Sequence, residues 1–180
     1  MRIQADRCFL LIVDVQERLA PKVEGCERVI SNCAVLMKAA ALLALPVLAS
    51  EHYSQGLGPL VPELKALAGE HNVLQKNHFS CQDEPECAAR FTKLGRPQIV
   101  IAGMEAHVCV MQTALGLKAA GYAPFVVADA TGSRCPESQH AAIERLRAAG
   151  VPIATTEMVV FEWLECGDRP EFKDVLALIK

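Results

Sequence analysis

The chain has 180 residues, of which 52% are hydrophobic, and its 18 basic and 21 acidic side chains leave a net charge of −3. This apolar content excludes a disordered chain, and the lack of a basic stretch gives nucleic-acid binding no electrostatic support. The length suffices for a large core, so we expect one domain over residues 1–180. Residues 1–7 are polar and the next apolar run ends at Asp14, too early for a signal peptide or a membrane span. We therefore expect a cytoplasmic protein.

The pattern of apolar residues predicts the elements in chain order. Strands are expected over 8–13, 47–49, 72–75, 98–102, 125–128 and 151–154. Helices are expected over 27–45, 61–67, 85–94, 107–120, 136–149, 158–164 and 171–179, with a loop over 54–59. This alternation implies parallel strands joined by right-handed crossovers. We therefore predict an α/β fold, a three-layer α/β/α domain around a six-stranded, parallel, doubly wound sheet.

The eight cysteines are expected to be reduced thiols, because the chain shows no export signal and a core of this size needs no disulfides. A zinc site is not expected. No C-x₂-C pair occurs, Cys81 and Cys87 have C-x₅-C spacing, and the histidines form no H-x₃-H pair. We expect neither a metal nor a cofactor.

Polar side chains follow most of the predicted strands, at the edge where an open parallel sheet places its active site. They are Asp14, Glu51, His52, Lys76, residues 105–109 and Asp129. We expect residues 129–133 to form a loop in which the polar side chains hydrogen-bond to the backbone. Glu51 and His52 are candidates for substrate contact or for partly exposed loop positions.

Cys109 comes after a predicted strand and a tight turn, at the expected start of a helix. Unpaired N–H groups at a helix N-terminus favour a thiolate, and a neighbouring Lys76 would lower the pKa of the thiol further. Asp14 is then a candidate general base. Each residue also has a structural interpretation: Asp14 as a cap for the loop that starts at Gln16, Lys76 as a solvated lysine, and Cys109 as a buried helix residue.

Three further side chains are candidates for the substrate pocket, and the first of them is Gln16. Phe79 could form a wall or belong to the core. His107 could act as a base for Cys109, although residues two apart on a helix point to different faces.

Over nearly its whole length the chain resembles the isochorismatase-like cysteine hydrolases. The resemblance is carried by an ordered set of motifs: LIVDVQ at 11–16, Lys76 with FS at 79–80, GMEAHVCV at 103–110, DA at 129–130 and TTE at 155–157. It implies a catalytic triad of Asp14, Lys76 and Cys109, and a non-proline cis peptide between Met104 and Glu105. It also implies an oxyanion hole made by the backbone N–H groups of Glu105 and Cys109.

The implied activity is hydrolysis of an amide-like C–N bond in a small molecule, through a cysteine thioester, by a homo-oligomer. True isochorismatases lack the nucleophilic cysteine, so Cys109 argues against isochorismate as the substrate. The stretch SEHYSQGLG at 50–58 lacks the metal-binding pattern of nicotinamidases, and Ala106 replaces a threonine frequent in amide-hydrolysing relatives. Two other hypotheses stay open: a non-catalytic binding protein that keeps the fold, and a thiol redox protein that uses Cys109.

Overall fold

One six-stranded parallel sheet organises the chain, and the computed structural model describes all of it, Met1–Lys180. Its strands are β1 (Cys8–Val13), β2 (Val47–His52), β3 (Val73–Lys76), β4 (Gln98–Met104), β5 (Ala123–Gly132) and β6 (Ile153–Ala154). Their order across the sheet is β3-β2-β1-β4-β5-β6, and every neighbouring pair is parallel. The predicted six-stranded parallel sheet is confirmed.

Eight helices flank the sheet: α1 (Cys26–Leu42), α2 (Ser54–Leu57), α3 (Pro62–Ala68), α4 (Pro85–Leu94), α5 (Met111–Ala119), α6 (Pro136–Ala148), α7 (Thr156–Leu164) and α8 (Phe172–Leu176). Buried residues of α1, α3, α7 and α8 belong to one hydrophobic core, and those of α4, α5 and α6 belong to a second. The helices therefore form two layers around the sheet, as the three-layer prediction requires. None of them combines the length and apolar character needed to cross a bilayer.

Strand β1 separates the two cores, and its sequence follows from that position. All six of its residues are fully buried. Alternate side chains enter opposite cores: Cys8, Leu10 and Ile12 on one face, and Phe9, Leu11 and Val13 on the other. A strand covered on both faces requires an uninterrupted apolar run, which is what made β1 recognisable from the sequence.

The chain changes direction across the sheet between β1 and β4. Strands β2 and β3 are added on one side of β1, and β4, β5 and β6 on the other. Asp14 directly follows β1 with φ of 50°, and the peptide bond between Met104 and Glu105, directly after β4, is cis. Gly103 has φ of 119°, and a side chain there would collide with the backbone of Val13. The two strand ends therefore approach each other closely at the point where ligands bind in open α/β sheets.

Several strands extend further than their apolar runs. Because Glu51 and His52 pair with Gln75 and Lys76, these residues lie inside β2 and β3 rather than after them. Asp129 likewise lies inside the ten-residue strand β5, so the loop expected over 129–133 is wrong. Polar residues at these positions ended the apolar runs without ending the backbone pairing.

Three helical segments also differ from expectation. The loop expected over 54–59 contains the single helical turn α2. Helix α1 stops at Leu42, before Ala44 with its positive φ of 55°, and not at residue 45. The helix expected over 107–120 begins as a π-helical turn, Ala106–Val110, before α5 starts at Met111.

Candidate active site

A buried ion pair joins Asp14 to Lys76, with 2.7 Å between Asp14 Oδ2 and Lys76 Nζ and less than about 2% of either side chain exposed. The hydroxyl of Ser50 donates to the other carboxylate oxygen, Oδ1, at 2.7 Å. The Lys76 ammonium also donates to the carbonyl oxygens of His78 and Phe79, each at 3.2 Å. These contacts fix the orientation of both charged groups.

The sheet order explains why these three side chains meet. Asp14 follows β1, Ser50 lies on β2 and Lys76 ends β3, and these strands are consecutive in the sheet. Since neighbouring strands are about 4.8 Å apart, Lys76 must reach across β2 to contact Asp14. The long lysine side chain makes this possible, and the small Ser50 leaves room for it.

The charge state of Lys76 follows from two opposing effects. Burial alone lowers the pKa of its ammonium, but the adjacent Asp14 carboxylate raises it, as do the thiols of Cys81 and Cys109, and the net direction is upward. Lys76 is therefore positively charged at neutral pH, and its charge is matched by Asp14.

The Cys109 thiol lines the same cleft as Asp14, and its pKa is raised rather than lowered. Burial is the main cause, and the Asp14 charge adds to it, while Lys76 opposes both. The expectation of a ready thiolate is therefore wrong. The positive charge of Lys76 is already paired, and Cys109 lies inside the π-helical turn rather than at the first residue of a regular helix. Cys109 is a protonated thiol at rest.

A cleft of about 400 Å³ opens above these groups, and both Asp14 and Cys109 line it. Its other walls carry the apolar side chains Leu19, Leu57, Phe79 and Val108. They also carry His52 and the charged side chains Arg18, Lys22, Glu105 and Arg134. The cleft is thus apolar along its length, with charged groups around it.

Two of the expected pocket residues, His52 and Phe79, do line the cleft. Their rings pack against each other with 5.2 Å between centroids and a tilt of 40°. Burial lowers the pKa of His52, and the charge of Lys76 lowers it further. His52 is therefore neutral at neutral pH and forms part of an aromatic wall.

Gln16 and Glu51 were expected in the pocket but lie outside its lining and hold backbone instead. The Gln16 amide donates to the carbonyl oxygens of His52 and Gly58, at 3.0 and 2.6 Å, and its oxygen accepts from the His52 amide at 2.8 Å. Glu51 accepts from the backbone amide of Leu60 at 2.7 Å. Both residues anchor the segment between β2 and α3, which forms one wall of the cleft.

His107 is also not part of the cleft lining. Its ring nitrogen Nδ1 lies 3.0 Å from the hydroxyl of Ser133, and no hydrogen bond joins its ring to Cys109, so the pairing considered for it as a base is not formed in this structure. Glu105 does line the cleft, and its carboxylate accepts from the backbone and the guanidinium of Arg134 at 3.1 and 2.9 Å.

Asp129 has the backbone-holding role expected for it, although it lies in a strand. Its carboxylate accepts from the backbone amide and the hydroxyl of Thr156, at 2.8 and 3.0 Å. No group of three or more His, Cys, Asp or Glu side chains converges as metal ligands would. Sequence reasoning missed Ser50, whose signal was its position on β2 at the active edge of the sheet. It also missed the cationic residues around the cleft.

The match to known proteins agrees with this geometry. The family profile described as Isochorismatase domain covers residues 8–158. The chain belongs to the isochorismatase family. Isochorismatase domain-containing protein 1 of Danio rerio is 38% identical over 168 residues, which are 93% of this chain but only 59% of that protein. Isochorismatase domain-containing protein 2 of the same fish is 34% identical over 179 residues, covering 99% of this chain and 89% of that one.

Solved structures of family members superpose closely. MAR1 ribonuclease from Caenorhabditis elegans has a TM-score of 0.93 at 32% identity, over 99% of this chain and 92% of its own. YcaC from Pseudomonas aeruginosa, solved with hexane-2,5-diol and covalent acrylamide, has a TM-score of 0.92 at 27% identity, over 98% and 91%. The YcaC product of Escherichia coli, described as an octameric hydrolase of unknown specificity, has a TM-score of 0.90 at 27% identity, over 99% and 87%.

Proposed function

We propose that the chain is a cytoplasmic, homo-oligomeric cysteine hydrolase that cleaves an amide-like C–N bond in a small molecule, with Asp14, Lys76 and Cys109 as its catalytic residues. One observation carries the proposal. Three side chains that are distant in the sequence meet at the carboxyl edge of the sheet, beside a cleft of small-molecule size. The related YcaC was solved with covalent acrylamide, so that protein carries a nucleophile able to react with this small amide, which supports a nucleophile in this chain.

In the first half of the reaction Asp14 takes the proton of the Cys109 thiol while the sulfur attacks the carbonyl carbon of the substrate. The new S–C bond forms, and the C=O electron pair moves onto the oxygen. Because the pKa of Cys109 is raised, its proton must leave during the attack, and Asp14, which lines the same cleft, is the base assigned to take it. The C–N bond then breaks, and Asp14 gives the proton to the departing nitrogen.

In the second half, water attacks the thioester carbon while Asp14 again accepts a proton. The S–C bond then breaks, Asp14 returns the proton to the Cys109 sulfur, and the acid product leaves. Lys76 keeps its charge throughout and stabilises the carboxylate whenever Asp14 is deprotonated. The backbone N–H groups of Glu105 and Cys109 are assigned to the oxyanion of each tetrahedral intermediate, where a donor is typically worth about 3 kcal/mol of the barrier.

A panel of small amides and ureides tests the reaction. We expect the parent protein to release ammonia from at least one compound and Cys109→Ala to release none. Cys166→Ala, which alters an exposed thiol outside the cleft lining, is the matched control and should retain the parent rate. Turnover by the Cys109→Ala variant would contradict the mechanism, and no turnover by the parent on any compound would favour a non-catalytic binding protein.

A thiol redox protein remains the other candidate, but the site supports it less well. Redox-active thiols have lowered pKa values, whereas burial raises the pKa of Cys109 and raises that of the neighbouring Cys81 to about 11. Because a relative is described as a ribonuclease, the panel also includes single-stranded RNA. The net charge of −3 and the small cleft do not favour RNA as the substrate.

A further inference from the structure

We infer that the substrate of the proposed hydrolase carries a carboxylate, and that Arg18 and Lys22 bind it at the mouth of the cleft. This inference rests on the proposed function and adds the charge class of its substrate. It begins with the charges that line the cleft. The two acidic side chains there are both neutralised, Asp14 by Lys76 and Glu105 by Arg134.

Arg18 and Lys22 are left without an acidic partner, since neither takes part in any of the four ion pairs of the chain. His52 adds no charge at neutral pH, because its pKa is lowered. The cleft lining, counted together with Lys76 that pairs with Asp14, therefore carries an excess of two positive charges on a chain whose net charge is −3. Positive charge concentrated in a cleft of a negative protein favours entry of an anionic ligand.

Arg18 is held in position by the segment between β2 and α3. Its Nη1 donates to the carbonyl oxygens of Gln55 and Gly56, each at 3.2 Å, and its backbone amide donates to Leu57 at 3.0 Å. A guanidinium has five N–H donors, and these contacts use one of its nitrogens. The remaining donors keep the planar arrangement that matches a carboxylate.

The apolar walls describe the rest of the ligand. Leu19, Leu57 and Phe79 line the same cleft as Arg18 and Cys109. A volume of about 400 Å³ is at the small end of ligand sites. The lining thus fits a small amide that has an apolar body and one carboxylate.

Two alkylating reagents test the charge preference without knowledge of the substrate. Iodoacetate and iodoacetamide transfer similar groups to a thiol and release the same iodide, but only iodoacetate carries a carboxylate. The rate of each reaction at Cys109 is measured by mass spectrometry of its peptide. The exposed Cys166 in the same sample gives the reference ratio of the two rates.

We expect the iodoacetate-to-iodoacetamide ratio at Cys109 to exceed that at Cys166 by about tenfold at low salt. Arg18→Gln/Lys22→Gln should remove most of this excess, and Lys22→Gln alone should remove part of it. Lys38→Gln/Lys93→Gln, which removes two exposed charges on other faces, should leave the ratio unchanged. Added salt should lower the ratio in the parent, which provides a test that requires no variant.

Equal ratios at Cys109 and Cys166 would overturn the inference, as would an excess that survives loss of both cations. Failure of both reagents to modify Cys109 would overturn the inference together with the proposed function on which it rests, because a thiol that passes its proton to Asp14 during attack on a substrate must also react with these electrophiles. The two proposals can fail separately. If Cys109 shows the charge preference but no compound of the panel is turned over, the anion subsite stands and the hydrolase is excluded. If neutral amides are turned over but Cys109 and Cys166 give equal ratios, the hydrolase stands and the anion subsite is excluded.

Discussion

Removing one partner of the Asp14–Lys76 pair should destabilise the protein more than removing both. In Lys76→Met the Asp14 carboxylate stays fully buried with only the Ser50 hydroxyl as a partner. An uncompensated buried charge of this kind destabilises by about 3–5 kcal/mol. In Asp14→Asn the ammonium keeps two backbone carbonyl partners, so we expect a smaller loss of about 2–3 kcal/mol.

The double variant Asp14→Asn/Lys76→Met has neither buried charge and should lose only about 1–2 kcal/mol. Urea unfolding at pH 7 of the parent and the three variants then gives a coupling energy of roughly 3 kcal/mol or more. The exposed pair Glu144 and Arg147, 3.0 Å apart, is the matched control, and its cycle should give no more than about 0.5 kcal/mol. Additive losses at Asp14 and Lys76 would refute this reasoning. The double variant should regain stability but not turnover, because it lacks the base.

Two further predictions concern stability. Gly103→Ala should destabilise by about 3 kcal/mol or more, because its Cβ would meet the backbone of Val13 at a positive φ. Gly69 also has a positive φ but has open space around it, so Gly69→Ala should lower the free energy of unfolding by only about 1 kcal/mol. Equal losses for the two variants in urea unfolding would contradict the role of the close approach between Gly103 and Val13. Stability should also fall steeply above pH 9, because buried thiols ionise only in the unfolded chain, which then binds fewer protons. Burial raises the pKa from 9.0 to about 11 or 12 in Cys81, Cys8 and Cys87. Each thiol should lower the free energy of unfolding by about 1.4 kcal/mol per pH unit, and a urea midpoint unchanged from pH 8 to 10 would exclude this.

The fold was predictable because its dominant signals are local. The buried strand β1 requires a continuous apolar run. Helix α4 ends at Leu94, the predicted residue, directly before Gly95 with its positive φ of 63°. The ends of the strands were less predictable where a strand continues through a polar residue. Asp129 extends β5 because its carboxylate is satisfied by Thr156, a partner 27 positions away that no local pattern reveals.

The site was predictable in its position and less so in its details. Asp14, Lys76 and Cys109 were selected as candidates because parallel strands bring their carboxyl ends to one edge, and the family resemblance implied the same three residues. The protonated state of Cys109 was not predictable, because it depends on how deeply the sulfur is buried and on which charge pairs with Lys76. Gln16 was misassigned because a buried side-chain amide at a strand end can bind a substrate or hydrogen-bond to the backbone. Only its contacts in the structure distinguish the two roles.

The central place of β1 has a consequence for how the chain is made. Its two neighbours are β2, which is synthesised early, and β4, which begins only at Gln98. Until β4 emerges, one edge of β1 presents unpaired N–H and C=O groups flanked by apolar side chains, and such an edge readily pairs with another copy of itself. Fragments that stop before residue 98 should therefore aggregate. Any design that splits this protein into two fragments must keep β1 and β4 in the same fragment.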